Sequence, residues 1–230
     1  MSSCDQCVVR NRAICAGLDS EELQALNRIS HHQKMRAGES LLWEGENTLV
    51  VANVIEGVVK LTVSNADGRE QIVGLMFSSD FIGRPFGAES PFNATAVTDA
   101  QVCVFHRSSF DRFAAEHPNL QQKLLFRTLD ELDRTRRWML LLGRKSAEGK
   151  MASFLLEMTE RLAPNGCISF GPADKFELPF GRQQIADILG LTIETVSRQL
   201  TRMRDDGLID LPSRREIQIL NRNALEDMAA

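Results

Sequence analysis

The stretch that decides the fold is Gly181–Gly207, GRQQIADILGLTIETVSRQLTRMRDDG. It reads as two short helices broken at Gly190-Leu191-Thr192. In the first, Ile185, Ala186, Ile188 and Leu189 form one apolar stripe. Gly190 follows, the residue that tolerates the left-handed conformation ending a helix. Thr192 is placed to cap the second helix, its hydroxyl accepting from an amide of the next turn. Val196, Leu200 and Met203, spaced by four and three, bury that helix. Its other face carries Glu194, Thr195, Ser197, Arg198, Thr201, Arg202 and Arg204. Two helices across a tight glycine-containing turn make a helix-turn-helix, whose second helix fits the major groove of DNA. An ordinary helical hairpin with a solvated charged face would share the apolar spacing, so the polar face has to distinguish the two. An Arg grips guanine O6 and N7 bidentately, a Glu accepts from cytosine N4, and a Ser beside them approaches a thymine methyl. Glu194, Ser197 and Arg198 lie within little more than one turn, near the end that reaches the bases. Thr192, Thr195 and Arg202 are candidate contacts beside them, with Arg182 and Gln183 at the start of the preceding helix.

Composition bounds what the rest of the chain can be. At 230 residues and 43% hydrophobic it is long and apolar enough for one or two packed domains. No apolar run approaches ~18 residues, so no membrane span is expected. The start, MSSCDQCVVRNR, lacks the apolar core of a secretory signal, and a cytoplasmic location follows. There, five cysteines are metal ligands or free thiols rather than disulfides. The net charge of −4 is unusual for a DNA-binding chain. Locally, however, residues 181–204 carry four Arg (182, 198, 202, 204) against Asp187 and Glu194, a net +2. Screening over ~10 Å lets this near field decide contact. Modest nonspecific affinity and a larger share of base readout are expected. The four His, at 31, 32, 106 and 117, accompany no nucleophile–base motif, which argues against an enzyme.

In chain order, Cys4, Cys7 and Cys15 form a C-x2-C-x7-C run in a segment too polar to build its own core. Metal ligation explains such a run, given a fourth ligand elsewhere; the alternative is three reduced surface thiols, or a zinc site. Residues 19–28 read as a helix capped by Asp19 or Ser20, with Leu18, Leu23 and Leu26 inward. From about residue 33 the pattern turns to strands. Turns at Ala37-Gly38-Glu39 and Glu44-Gly45-Glu46 flank SLLW, and VVANVIEGVVKLTVS runs to a hairpin signal at Ala66-Asp67-Gly68 before REQIVGLMF. Further strands fit Ala94–Thr98 and Val102–His106, and many short strands imply an antiparallel roll or barrel. Cys103 sits in the last strand, where a lone Cys is most often a small buried hydrophobe.

A short helix over Ser108–Glu116 ends near His117-Pro118, and a long one spans Asn119–Gly143. Leu125, Leu129 and Leu132 repeat at four and three, a coiled-coil seam that passes through Arg136 to Met139. The interruption Asp133-Arg134-Thr135-Arg136-Arg137 reads as a dimer seam weakened in its middle, so that pairing is conditional; the alternative is a helix folded against its own barrel, with Arg136 solvated. Lys145–Leu162 is another amphipathic helix, through Met151, Phe154, Leu155 and Met158, broken at Ala163-Pro164-Asn165-Gly166. After the helix-turn-helix, LIDLPSRREIQIL gives two strands of a β-wing whose Arg214 and Arg215 are placed for phosphate. Asn221–Ala230 is a final helix.

These pieces in this order resemble the cyclic-AMP receptor/FNR superfamily of bacterial transcription factors over nearly the whole chain. Within it they are similar to the FNR-type oxygen sensors, including their rhizobial-type relatives. The stretches that carry the resemblance are LGLTIETVSRQLTRMRDDGLI, DGREQIVGLM, SSDFIG, HPNLQQ and MLLLGRKSAEGKMASFL. The resemblance implies an α+β fold: a cyclic-nucleotide-binding-like antiparallel β-roll, a long dimerisation helix and a C-terminal winged helix-turn-helix. The segments are then 1–18, cysteine-rich and cluster-binding; 19–118, the roll; 119–145, the dimer helix; and 146–230, the DNA-binding domain.

It also implies functions for particular residues. The family's Glu-x-x-Ser-Arg triplet falls on Glu194, Ser197 and Arg198, and reads a TTGAT half-site of a palindrome in double-stranded DNA. Cys4, Cys7, Cys15 and Cys103 match the four ligands of a [4Fe–4S] cluster, which four thiolates ordinarily hold. The x7 gap is longer than the x5 of the enteric protein and looks like the α-proteobacterial spacing. Cys167 matches no cluster position. Cyclic AMP is not expected, because Arg84 follows Gly83 where the nucleotide binders carry Glu. Ala94 also precedes Thr95 where they carry the Arg that pairs the phosphate. A homodimer held together under low oxygen and working with RNA polymerase is implied. A regulator of the same fold that senses zinc or thiol redox state through the same cysteines is the alternative.

Overall fold

The apolar run from Val50 does not continue as one strand. Gly57 divides it, with φ of +87°, and a Cβ there would stand 2.5 Å from the Asp99 carbonyl oxygen and 2.7 Å from Ala100 Cα. Only glycine combines that left-handed backbone with so close an approach. The halves on either side therefore enter different sheets. The computed structural model describes residues 4–64, 68, 70–162 and 174–230. Most of the loop at Ala66-Asp67-Gly68, the break at 163–166 and Cys167 lie outside them. By compactness the chain divides into Met1–Asp133 and Arg134–Ala230.

In the first unit, helix α1 spans Ser20–Arg28 and is capped by Asp19 in a reciprocal box with Glu22. The strands are β1 (Ser30–Met35), β2 (Ser40–Leu42), β3 (Val50–Glu56), β4 (Val59–Ser64), β5 (Glu70–Met76), β6 (Phe81–Ile82), β7 (Asn93–Ala96) and β8 (Ala100–His106). They form two antiparallel sheets, ordered β1-β8-β3-β6 and β2-β7-β4-β5. Inside the roll, Ala52, Val54, Val102 and Val104 of the first sheet meet Leu42, Leu61, Ala94 and Ala96 of the second. The first sheet's other face, through Val51, Ile55, Cys103 and Phe105, is covered as well. Val9, Ala13 and Ile14 of the N-terminal segment, Leu26 of α1, and Phe110 and Phe113 of α2 (Arg107–Glu116) close over it. Burial on both faces is why Val50–Ile55 is nearly continuous in apolar residues instead of alternating. The N-terminal segment has no core of its own and borrows this one.

Helix α3 runs from Pro118 to Arg144 and so belongs to both units. The second unit continues with α4 (Ala147–Arg161), capped by the Ser146 hydroxyl, and β9 (Lys175–Glu177). Then come α5 (Arg182–Leu189), α6 (Ile193–Asp205), β10 (Ile209–Asp210), β11 (Glu216–Ile219) and α7 (Arg222–Ala229). Met151, Phe154, Leu155 and Met158 of α4 are fully buried, as the amphipathic pattern predicts. The wing has a third strand, the sheet order being β10-β11-β9. β9 is three residues long, too short to carry a period-two signal. The chain is α+β, with the strands of each sheet antiparallel. No described helix is long and apolar enough to cross a membrane.

Candidate nucleic-acid interface and thiol site

The helix-turn-helix forms as its sequence dictates. Gly190 ends α5 with φ of 60° and ψ of 43°, in the left-handed region. The Thr192 hydroxyl accepts from the Thr195 amide at 3.2 Å, capping α6. Ile185, Ala186, Ile188 and Leu189 on one helix and Val196, Leu200 and Met203 on the other are all buried. Glu194, Ser197, Arg198 and Thr201 are left exposed together on α6. Its own backbone amide, and then Thr192, hold the Glu194 carboxyl below the usual carboxylate range, so it is an acceptor at neutral pH.

The other arginines are placed differently. Arg202 pairs with Glu148 of α4 at 3.4 Å and with Asp206 at 3.7 Å. Arg204 pairs with Asp205 at 2.7 Å. Arg182 is half-buried, with Nη1 buried and lacking a hydrogen-bond partner, and this desolvation lowers its pKa. Gln183 donates to Asp187 at 2.9 Å. Arg214 and Arg215 stand exposed at the wing tip, where the Ser213 hydroxyl accepts from the Arg215 and Glu216 amides. The Glu148–Arg202 tie is long-range, and no local pattern announces it.

In the first unit the segment before α1 is coiled into 3-10 turns at Cys4–Gln6 and Ile14–Gly17. Cys4 Sγ donates to Asn27 Oδ1 at 3.1 Å, and Cys15 Sγ is 3.9 Å from the Arg10 carbonyl oxygen. Cys7 and Cys15 pack against the core that includes Cys103, which is 7% exposed. Burial first, and then Cys7 and Cys4, push the Cys15 thiol up to about 11. Burial pushes Cys103 up to about 12; Ser30 opposes this, and the three other thiols add to it. Cys4 and Cys7 thus act on both Cys15 and Cys103, and Arg10 acts on Cys15 in the opposite sense. None of the four is in a disulfide.

Among the described residues, no three His, Cys, Asp or Glu side chains are grouped to hold one metal ion. The donor set still fits a [4Fe–4S] cluster by its chemistry. It consists of thiols alone, and a cluster takes one thiolate on each of four irons, a wider arrangement than ligands around a single ion. Ligation would displace the thiol protons. Asn27, Ser30 and Asn53 around this site were not singled out by sequence, although Asn53 stands out as the one polar residue in VVANVI.

Helix α3 connects with this segment and carries an uncovered stripe. Leu120 lies in the core with Cys103, and Leu124 packs against it. The Arg127 guanidinium donates to the Arg12 carbonyl. Next along the helix, Leu125, Leu129 and Leu132 are exposed, Leu129 by 46%, and so is Met139. Exposed apolar residues at seam spacing mark an interaction surface. Arg134 and Arg137, two of the charges interrupting the seam, act on the Glu157 carboxyl of α4, which burial otherwise raises.

Comparisons place these features among known proteins. Residues 32–117 match the cyclic nucleotide-binding domain model, and residues 149–228 match the Crp-like helix-turn-helix domain model. The chain is 43% identical to the "Transcriptional activator protein FnrL" of Cereibacter sphaeroides, over 93% of this chain and 86% of that protein. It is 29% identical to the "Fumarate and nitrate reduction regulatory protein" of Escherichia coli, over 98% and 90%. The solved structure of FixK2 from Bradyrhizobium japonicum is similar with a TM-score of 0.80 at 34% identity, covering 88% of this chain and 98% of that one.

Proposed function

The chain belongs to the CRP/FNR family of transcription regulators, and on that premise we propose that it is an oxygen-responsive activator. In this reading four thiolates hold a [4Fe–4S] cluster, which favours a homodimer that binds TTGAT-type palindromes under low oxygen. Its relatives are transcription regulators, not enzymes. The observation that carries the reading is the gathering of Cys7, Cys15 and Cys103 on one core with the first turns of α3. The same helix then bears the uncovered Leu125, Leu129 and Leu132.

When bound, the group supplies iron–thiolate bonds that join the N-terminal segment to β8 and are lost on oxidation. The chain's own residues do the rest. Val9, Ala13 and Ile14 anchor the segment in the core. Arg127 grips the Arg12 carbonyl, so the segment's position bears on the helix that pairs. Arg10 offsets negative charge at Cys15. Moving dimerisation from mostly off to mostly on takes roughly 5 kcal/mol of differential free energy, a scale that metal–thiolate ligation reaches.

A two-fold dimer presents two α6 helices to half-sites about one DNA turn apart. Glu194 and Arg198 then share a G·C pair, Ser197 approaches a thymine, and Arg214 and Arg215 meet phosphates. Activation at a promoter brings RNA polymerase as the further partner. Cyclic AMP is not the effector, since Arg84 and Ala94 replace the residues that would hold its ribose and phosphate, and an unpaired buried phosphate is costly.

An anaerobic absorption spectrum with iron, sulfide and zinc analysis tests the cofactor, and sedimentation with and without air tests the linkage. A broad visible band with equal iron and sulfide, lost together with the dimer in air, is expected. Zinc without iron would replace this reading with a zinc or thiol regulator of the same fold. Identical sedimentation in both conditions would sink the linkage.

A further inference from the structure

From Val50 to Ile55, strand β3 is apolar on both faces except at Asn53, and its last residue, Glu56, is exposed. Val51 and Ile55 face the core that holds Cys103, while Ala52 and Val54 face the interior of the roll. Strand alternation places Asn53 on the Cys103 side, between Val51 and Ile55. The register sets it directly opposite Cys103 of β8, with Phe81 of β6 on its other flank. Residues directly opposite in an antiparallel pair have Cβ atoms about 5 Å apart. Asn53 is 3% exposed, and its Oδ1 is buried with no hydrogen-bond partner. A buried amide in that condition lowers the stability of the metal-free chain.

Ser30 and His32 of β1 are the other polar groups beside Cys103: the register sets His32 directly opposite it, with its ring 3.5 Å from the Gln101 amide, and Ser30 acts on the thiol. The Ser30 hydroxyl donates its single proton to the Asn27 carbonyl, at 3.1 Å. It can turn that proton to a thiolate only by releasing Asn27. An amide NH2 carries two protons. Rotating the amide end for end brings that group to where Oδ1 now lies.

Resting on the reading of Cys4, Cys7, Cys15 and Cys103 as cluster ligands, we infer that Asn53 is a positioning residue for Cys103. Its side-chain amide donates an N–H···S hydrogen bond to the thiolate that ligation creates. A neutral thiol is a weak acceptor, whereas a thiolate carries charge that strengthens such a bond. The amide is therefore without a partner in the metal-free chain and satisfied in the loaded one. Outer partners of this kind fix a ligand's orientation, and hydrogen bonds to ligating sulfurs tune a cluster's electronic properties.

Asn53→Leu removes the donor at similar size, and Asn53→Thr keeps one on a β-branched side chain. Parent and variants are reconstituted anaerobically with iron and sulfide, and the loss of visible absorption is timed in excess iron chelator. Asn53→Leu is expected to lose its absorption several-fold faster, with a shift of its sulfur-to-iron bands, and Asn53→Thr to lie between. The metal-free form of Asn53→Leu is expected to melt at or above the parent temperature. Equal decay in parent and Asn53→Leu, both loaded, overturns the proposal and leaves the cluster reading intact. Faster decay with a lowered metal-free melting temperature also overturns it, because a packing defect then explains the loss. A parent that takes up no cluster overturns the cluster reading and this proposal with it.

Discussion

The recognition helix and the cysteine segment solve opposite problems. Helix α6 is complete as it stands: its N-terminal amide is capped by Thr192, its stripe is buried and its reading face is exposed. The segment from Cys4 to Gly17 has short turns, a borrowed core and, at Cys15, a thiol that burial pushes up to about 11. On the proposed reading, the first is a finished tool and the second a site that its cofactor would complete. Control, on that reading, lies in the part that needs something added, and sequence readout in the part that needs nothing.

The sharpest way to break this contrast is to remove one thiol. Cys103→Ser is expected to abolish the visible iron–sulfur absorption completely, as are Cys4→Ser, Cys7→Ser and Cys15→Ser, because serine is a poor ligand for a soft-metal site. Cys167→Ser is expected to leave it intact. The helix-turn-helix should keep its helical circular dichroism in all five, and loss of helix there would show that the two regions are not separate.

Between the two regions lies the seam. Leu129→Ala should weaken dimerisation by roughly 2–4 kcal/mol if both copies bury this side chain. Sedimentation of the anaerobic protein over a range of concentrations measures it, and an unchanged dimer would remove the seam from the account.

On the reading side, Arg198→Ala should cost about 1–3 kcal/mol on the cognate site and much less on DNA altered at the G. Arg214→Ala and Arg215→Ala should instead weaken all sequences alike and flatten the salt dependence by about one unit each. Equal losses for Arg198→Ala on both DNAs would make it a phosphate contact. The smallest effect belongs to the cap. Thr192→Ala should cost on the order of 1 kcal/mol of thermal stability, and no change would mean that α6 leans on α4 and α5 more than on its own N-terminus.

The same contrast governs what could be read from sequence. The helix-turn-helix was legible because its signals are local: Gly190 and Thr192 lie within two residues of each other, and the stripe repeats within one helix. The cysteines were visible as a pattern and as a family resemblance, yet spacing alone could not bring Cys103 to a segment nearly ninety residues earlier. Strand pairing does that, through β8. The break at Gly57 has no local signal, because the residues on both sides are equally apolar and the reason for the turn, the approach of Asp99 and Ala100, is remote in sequence. Strands β6 and β9 are not legible, because two or three residues carry no periodicity. Helical spacing puts Arg202 on the polar face, while its tie to Glu148 depends on how α4 and α6 pack.

The bond from Arg127 to the segment has one more consequence. Its acceptor is the main-chain carbonyl of residue 12, not a side chain. The linkage is therefore indifferent to which amino acid occupies position 12 and demanding about the one at 127. Saturation mutagenesis should find position 127 intolerant of residues that cannot donate. A drifting sequence could rewrite the loop's side chain at position 12 while leaving the helix attached to the same backbone atom.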